Sequence, residues 1–430
     1  MTRSLLGSTA LLSAVIFNVC AHAAETKPTP VLAVPKLIIS GQTSFNNFFF
    51  RNRRIFQDGI EVEGADSPKG SCARKKFGRG QLFTVDSSRL KFNVEGKTDL
   101  GMEYGLMFVL DGDVDSDKTL RENYLYFAGT WGKIIAGDTF GVEDTMGFGG
   151  FTQWGGTGFL NSGIIDRVVN YTTGTLHSVD LVGDTSRDTK LTYLSPRWQG
   201  LQAGISYTPR TEHRGQQVIE ARRSVLKPKK PWDSDSIATG VNFIHKFTNG
   251  LETGLSFTSV FAKTHSEYRG SLARKHTASY AFGGSISFKG IGFGVEYGNN
   301  TRSRSFREGG HKSNAGQFLD FGLSYAWSPS TKLSAGYYYA WRKALGGGVT
   351  APLFKRNAVT KGTTVAIDQK LAPGLGVYVE YANLQMKNPA AVAEADRVNS
   401  PAVLKTCSEF IGGVRNNHVN VFIIGSRLVF

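Results

Sequence analysis

The chain ends Val419-Asn420-Val421-Phe422-Ile423-Ile424-Gly425-Ser426-Arg427-Leu428-Val429-Phe430. Read back from Phe430 in steps of two, Leu428, Ser426, Ile424 and Phe422 share one face, and all of that face is large and apolar except Ser426. Successive strand side chains point to opposite faces, so a period of two marks a β-strand with one greasy side. Two kinds of sheet end this way: a sandwich strand buries that side in protein, and a barrel strand turns it to lipid. The terminal segment by itself leaves both open.

The other end of the chain separates them. Residues 1–23 carry Arg3, an apolar run over 11–19 and the small-residue site Ala21-His22-Ala23, the pattern of a secretory signal cleaved before Ala24. Cys20 does not read as a lipoprotein cysteine, because Val19 stands where a small residue would be needed. Beyond the signal no apolar run approaches the roughly 18 residues a helix needs to cross a bilayer. A membrane chain of this kind must span as a closed barrel, whose strands satisfy each other's backbone groups. A content of 51 Gly, with only 40% hydrophobic residues and many aromatics, suits that state.

On length alone the mature chain would make two or three soluble domains. No composition break or long linker divides it, so a single sheet over 37–430 is expected, behind a Pro-containing leader at 24–36. The formal charge is +15, one unit of which leaves with Arg3. An exported chain rarely meets nucleic acid, so the basic balance points instead to anionic solutes and to lipopolysaccharide.

Strand-like runs recur throughout, alternately joined by short turns and by long polar connections, as in a barrel with short turns on one side and long loops on the other. The short turns fall near 98–101, 129–132, 196–200, 248–251, 289–292, 328–332 and 371–376. They join fourteen strands, and the first strand (about 37–50) and the last (about 417–430) make sixteen. The cleanest alternation sets Leu201, Ala203, Ile205 and Tyr207 against Gln202, Gly204, Ser206 and Thr208. Leu319, Phe321, Leu323 and Tyr325 interleave in the same way with Asp320, Gly322, Ser324 and Ala326. A sandwich would fill its inner face with bulk, whereas small and polar residues suit a water channel. Trp131, Trp198, Trp327, Trp341 and the run Tyr337-Tyr338-Tyr339 lie near strand ends, where amphipathic rings meet the lipid–water boundary.

Chemistry-bearing patterns are few. There is no G-x-S-x-G, no phosphate-binding Gly loop and no paired-His zinc motif, so no enzyme and no cofactor is expected. Asp111, Asp113, Asp115, Asp117 and Glu122 have calcium-loop spacing, but Ser116 replaces the turn glycine and strands flank the segment. An acidic hairpin loop is the expectation. Cys72 and Cys407 fall in the first and last long loops, which closure makes neighbours, so a disulfide across the seam is expected, with two free thiols as the alternative. The segment 138–167 is Gly-rich and aromatic, carries Glu143 and Asp144, and has no Lys or Arg before Arg167. Such a loop can enter a lumen without burying many charges.

On the strand near Val85, Arg89, Lys91, Asn93 and Glu95 share one face and Leu90, Phe92 and Val94 the other. An Arg or Lys facing lipid at mid-membrane costs about 2–4 kcal/mol. The charged set therefore faces water, and a basic wall across from an acidic loop would set a transverse field that selects ions.

Several segments, taken in order, resemble Gram-negative general porins. They are Ser88-Arg89-Leu90-Lys91-Phe92 running into Thr98-Asp99-Leu100-Gly101; Tyr124-Leu125-Tyr126-Phe127-Ala128-Gly129-Thr130-Trp131-Gly132 followed by Ile135-Ala136-Gly137; Tyr193-Leu194-Ser195-Pro196-Arg197-Trp198-Gln199-Gly200-Leu201; and terminal Phe430. The resemblance implies a sixteen-stranded antiparallel barrel, a homotrimer, with an inward-folded third loop that narrows each pore against basic residues. Arg89 matches such a position, Lys91 shares its face, and Arg121 lies near another. The third loop departs from the enterobacterial pattern, since Met146-Gly147-Phe148-Gly149-Gly150 lacks the preceding Pro-Glu; Glu143 and Asp144 stand in for the missing acid. The implied function is passive diffusion of small hydrophilic solutes and ions across the outer membrane, and the positive balance of the chain suggests a weak anion preference. The alternatives are a channel specific for a sugar or carboxylate class, and a barrel serving as a surface adhesin or structural protein.

Overall fold

The structure, a computed structural model, describes residues 34–52, 79–112, 120–162, 165–169, 181–211, 214, 232–265, 275–303, 316–343, 357–387 and 416–430. These residues form sixteen strands. The first eight are β1 (Lys36–Asn52), β2 (Arg79–Lys97), β3 (Glu103–Asp111), β4 (Leu120–Gly129), β5 (Gly132–Asp138), β6 (Thr189–Leu194), β7 (Leu201–Arg210) and β8 (Trp232–Lys246). The rest are β9 (Glu252–His265), β10 (Thr277–Phe288), β11 (Ile291–Asn299), β12 (Gln317–Ala326), β13 (Thr331–Lys343), β14 (Asn357–Ala372), β15 (Leu375–Lys387) and β16 (Asn416–Val429). Each pairs antiparallel with its sequence neighbours, and β16 returns to β1, so the sheet is a closed barrel. All seven short turns expected from sequence join consecutive strands, and the longer connections leave the strands at their opposite ends.

Alternation sets the two faces. Phe83, Leu191, Leu255, Phe261 and Ile367 are among the outward residues and are more than half exposed. Many inward residues are small or polar, such as Ser206, Thr258 and Thr364, while Phe48, Leu384, Val421 and Ile423 make part of the inner wall apolar. Closure leaves no strand edge, so every ladder position finds a partner, which a hydrocarbon surrounding demands. Among the described residues no helix is long and apolar enough to cross a membrane, which says nothing against a barrel.

The terminal strand completes this closure. β16 runs against β1 from Asn52↔Val419 to Gln42↔Val429, and Gly41 and Phe430 exchange backbone hydrogen bonds of 2.9 and 3.0 Å. Gly41 is needed there, because a Cβ would press against the Phe430 ring. Ser426, the gap in the apolar row, faces Phe45 across the seam, and the Phe45 ring stacks on Phe83 at 5.8 Å. The sequence also placed Tyr338 with the boundary aromatics; instead it points inward and is buried, as alternation with outward Tyr337 and Tyr339 requires.

β2 holds a feature that a simple period of two misses. Asp86 opposes Ser44 and Arg89 opposes Gln42, so Ser87 and Ser88 together face Thr43 across a bulge, with Ser87 at φ 55°. The extra residue shifts parity: Phe83 and Val85 point outward before the bulge, and Leu90, Phe92 and Val94 point outward after it. The sequence carries this shift, since its apolar residues change from odd to even positions between Val85 and Leu90.

Candidate functional site

The connection between β5 and β6 supplies the buried core of the molecule. Val142, Met146, Phe151, Trp154, Phe159 and Leu160 pack in one cluster with inward residues of the wall such as Phe48, Leu384, Val421 and Ile423. Burying side chains of this size contributes about 1.5–3 kcal/mol each. Leu160 also lies against Gly362 of β14.

Polar contacts follow the same path around the wall. The Val142 amide donates to Ser206 on β7 (3.0 Å) and the Phe148 amide to Ser256 on β9 (2.8 Å). Further on, Gly150 donates to Asp320 on β12 (2.5 Å), Gly155 to Ser334 on β13 (2.9 Å) and Gly156 to Asp368 on β14 (3.0 and 3.1 Å). Glu380 on β15 takes the Thr157 amide (2.7 Å), the Thr157 hydroxyl (2.6 Å), the Phe159 amide (3.0 Å) and the Thr364 hydroxyl (2.8 Å). Arg427 on β16 donates to the Gly156 carbonyl (2.5 Å), and Asn52 on β1 to that of Val168 (3.3 Å). Irregular backbone at membrane depth must find partners in protein or water; here inward side chains satisfy much of it.

Glycines permit the close approach. A Cβ on Gly283 would overlap the Phe148 carbonyl oxygen, and one on Gly322 would overlap that of Gly150. The run Phe148-Gly149-Gly150 thus meets a wall that is itself glycine at the contact points.

The expected acidic pair of this segment is turned away from water. Glu143 is 0% exposed and accepts from the Thr185 amide (3.1 Å) and hydroxyl (2.6 Å). Asp144 is buried beside it.

The basic residues gather on β2 to β4 and the chain around them. Arg89 pairs in register with Gln42 and Asp111, and Lys91 with Ser40 and Val109, so both lie on the inward face. Arg121 is buried and binds Asp111 at 2.6 Å. A second register shift, between Val109 and Leu110, lets Arg121 and Glu122 both escape the outward face that Leu120 occupies.

Two further cations join them that sequence reasoning did not place. Arg214, beyond β7, lies 3.9 Å from Asp138 and donates to the backbone carbonyls of Leu120 and Arg121. Arg187 lies over the Phe140 ring at 5.2 Å. Burial, and then the positive charge of Arg121, lower its pKa to about 10, with Arg214 and Arg89 adding to the effect and Glu122 opposing it. Neither residue has a sequence signal, because only the fold brings residues 187 and 214 beside residue 121.

The nearby carboxylates are engaged. Asp111 holds Arg121, Glu122 accepts from Thr139 (3.1 Å), and Asp138 accepts from Thr189 (2.5 Å). Of the calcium-like set, Asp113, Asp115 and Asp117 lie outside the described residues, as do Cys72 and Cys407. Among the described residues no three His, Cys, Asp or Glu side chains stand together as a metal site.

A closed barrel of alternating strands, with an apolar exterior and a charged and polar interior, is a membrane channel. The profile of the Gram-negative porin family matches residues 61–389, and the chain belongs to that family: it is an outer-membrane porin. Among solved structures, the chain is similar to the anion-selective porin from Comamonas acidovorans, with TM-score 0.54, 13% identity and coverage of 92% of this chain and 100% of that one. It is also similar to the trimer form of OmpT, an outer membrane protein of Vibrio cholerae, with TM-score 0.53, 12% identity and coverage of 92% and 100%. The outer membrane channel DcaP of Acinetobacter baumannii aligns with TM-score 0.51, 11% identity and coverage of 92% and 98%. At these identities the likeness is one of fold. No curated protein sequence matches the chain.

Proposed function

We propose that this porin passes small hydrophilic solutes and ions down their gradients, without covalent chemistry, and that it weakly favours anions. The segment 138–167 narrows the pore, and Arg89, Lys91 and Arg121, joined by Arg187 and Arg214, form the selecting wall. One observation carries this reading: the acids that face the β5–β6 connection and four cations of the β2–β4 cluster are used differently. Asp320, Asp368 and Glu380 spend their charge on amides of the β5–β6 connection, and Asp320, Glu380 and Glu143 are fully buried. Arg89, Lys91, Arg187 and Arg214 stay partly exposed, where their field reaches water, with Glu122 as a partly exposed counter-charge and Arg121 buried behind them against Asp111. Glu143 and Asp144 then serve to hold the segment in place, and the acidic side of the expected transverse field is weak.

The chain works as a homotrimer, after removal of residues 1–23, with 24–36 leading into β1. Its surroundings are outer-membrane lipid and lipopolysaccharide. The trimer form of the Vibrio cholerae protein supports the assembly, and the anion selectivity of the Comamonas acidovorans porin supports the ion preference, both by analogy of fold.

The test is planar-bilayer recording of the purified protein across a salt gradient. The expected reversal potential has the sign of anion preference, and Arg89→Gln with Lys91→Gln moves it toward cations. A cation-selective reversal potential refutes the preference, and an unchanged potential in the double variant removes those two residues from the selecting wall.

A further inference from the structure

A second stretch of chain packs against the inner wall, and one of the selecting cations stands on it. Residues 181–188 form the last part of the connection before β6. Leu181 is buried in the core cluster. The Val182 amide donates to Asn300, just past β11 (2.8 Å), and the Val182 carbonyl accepts from Ser279 on β10 (2.8 Å). Gly183, at φ 88°, lies so close to β10 that a Cβ would press on the Thr277 methyl group. These three residues are thus fixed to the ends of β10 and β11 away from the short turns.

Residues 184–188 then make a tight turn. The Asp184 carboxylate accepts from the Ser186 amide (2.6 Å), and the Thr185 carbonyl accepts from the Asp188 amide (3.0 Å). Ser186 takes left-handed backbone, φ 43°, which a residue with a Cβ keeps only where its surroundings hold it.

Two buried ionic side chains do the holding. Lys190 on β6 donates to the carbonyls of Ser186 (2.8 Å), Asp188 (2.7 Å) and Thr139, which occupies the three donors of an ammonium group. Glu143 takes the amide and the hydroxyl of Thr185 on one oxygen, Oε1 (3.1 and 2.6 Å). Thr139 and Glu143 lie at the start of the β5–β6 connection and residues 185–188 at its end, so these two side chains tie the start to the end. Arg187 follows the strained Ser186 directly. It is partly exposed, lies over Phe140, and stands within the field of Arg121, Arg214 and Arg89.

We propose that residues 184–188 are a rigid arm that makes Arg187 the specificity-determining cation of the pore, with Glu143 and Lys190 as its positioning residues. The proposal rests on Arg187 belonging to the selecting wall and adds what fixes it there. It gives a buried acid an unusual sign: Glu143 favours anion passage, because the partly exposed cation it places acts on the solute more strongly than its own buried charge.

The test is the reversal potential across a salt gradient in planar bilayers, with every variant of the full-length mature protein first checked for the heat-modifiable gel mobility of a folded barrel. Arg187→Gln moves the potential toward cations. Glu143→Met, which removes the acceptor and a negative charge, is expected to move it the same way by at least half as much, and to add nothing in the Arg187→Gln background. Glu143→Gln loses the same charge but keeps an oxygen for Thr185, and restores the wild-type value. If Glu143 acted through its charge, both of its variants would move the potential toward anions, and that result overturns the proposal. So does a Glu143→Met shift that persists undiminished in the Arg187→Gln background. No shift in Arg187→Gln overturns instead the place of Arg187 in the selecting wall. Where Glu143→Met does not fold, Thr185→Val removes one of the two bonds and no charge: a shift toward cations supports the arm, and an unchanged potential overturns it.

Discussion

Replacing Glu380 by Gln should loosen the β5–β6 connection from the wall without disturbing the barrel. The carboxylate is fully buried and accepts on both oxygens: Oε2 takes the Thr157 amide and hydroxyl, and Oε1 takes the Phe159 amide and the Thr364 hydroxyl. A Gln side chain has the same shape but only one accepting oxygen, so whichever way it turns, its NH2 group faces one of the two backbone N–H donors. The hydroxyls can rotate and accept from the NH2 group; the amide cannot. Leaving one buried N–H unmet costs about 1–3 kcal/mol. A mid-range loss of about 2 kcal/mol corresponds to roughly a 30-fold increase in local opening. Hydrogen exchange followed by mass spectrometry reads this directly: peptides containing Thr157 and Phe159 should exchange about 30-fold faster, while β14 and β15 peptides away from residue 380 keep their protection. Protection of Thr157 and Phe159 within threefold of wild type would refute the idea that these bonds hold the segment.

Two other outcomes follow from the same geometry. Gly283→Ala should displace the backbone at Phe148, whose carbonyl occupies the space of the new methyl group, and should weaken protection of the Phe148 amide by an overpacking cost of about 1–3 kcal/mol; Gly376→Ala, at an inward glycine with only an ordinary contact, should leave it unchanged. Arg187→Gln should move the reversal potential toward cations, and the shift should shrink as salt is raised toward 1 M, where screening acts within about 3 Å; a shift independent of salt would mean that Arg187 acts by shaping the pore.

The repetitive part of this protein is legible in its sequence. Strand number, turn positions and the inward or outward direction of most side chains follow from a period of two punctuated by Gly, Pro, Asn and Asp, because a barrel strand meets lipid on one side and water on the other along its whole length. Arg89 and Lys91 could be placed inward on that rule, and the rule holds although the bulge at Ser87 and Ser88 reverses parity just before them. Cys72 and Cys407, and most of the acidic run after Asp111, lie outside the described residues.

What local pattern does not contain is where a long connection goes once it leaves the sheet. Glu143 and Asp144 looked like acids for a water-filled pore, yet both are buried, and Glu143 is held by Thr185, forty-two residues away in sequence. Asp320 reads as part of a polar inner face, and tertiary structure covers it, like Glu380, with backbone amides of the β5–β6 connection, from 150 and from 157 and 159 respectively. Arg187 and Arg214 reach Arg121 only because the chain folds back twice. The terminal strand shows the same division: its alternation gave the sheet and its lipid-facing side, whereas its register against β1, the Gly41 notch for Phe430 and the Phe45 ring opposite Ser426 exist only when the barrel closes. Periodicity is a property of neighbours in sequence, and closure is a property of residues nearly four hundred positions apart.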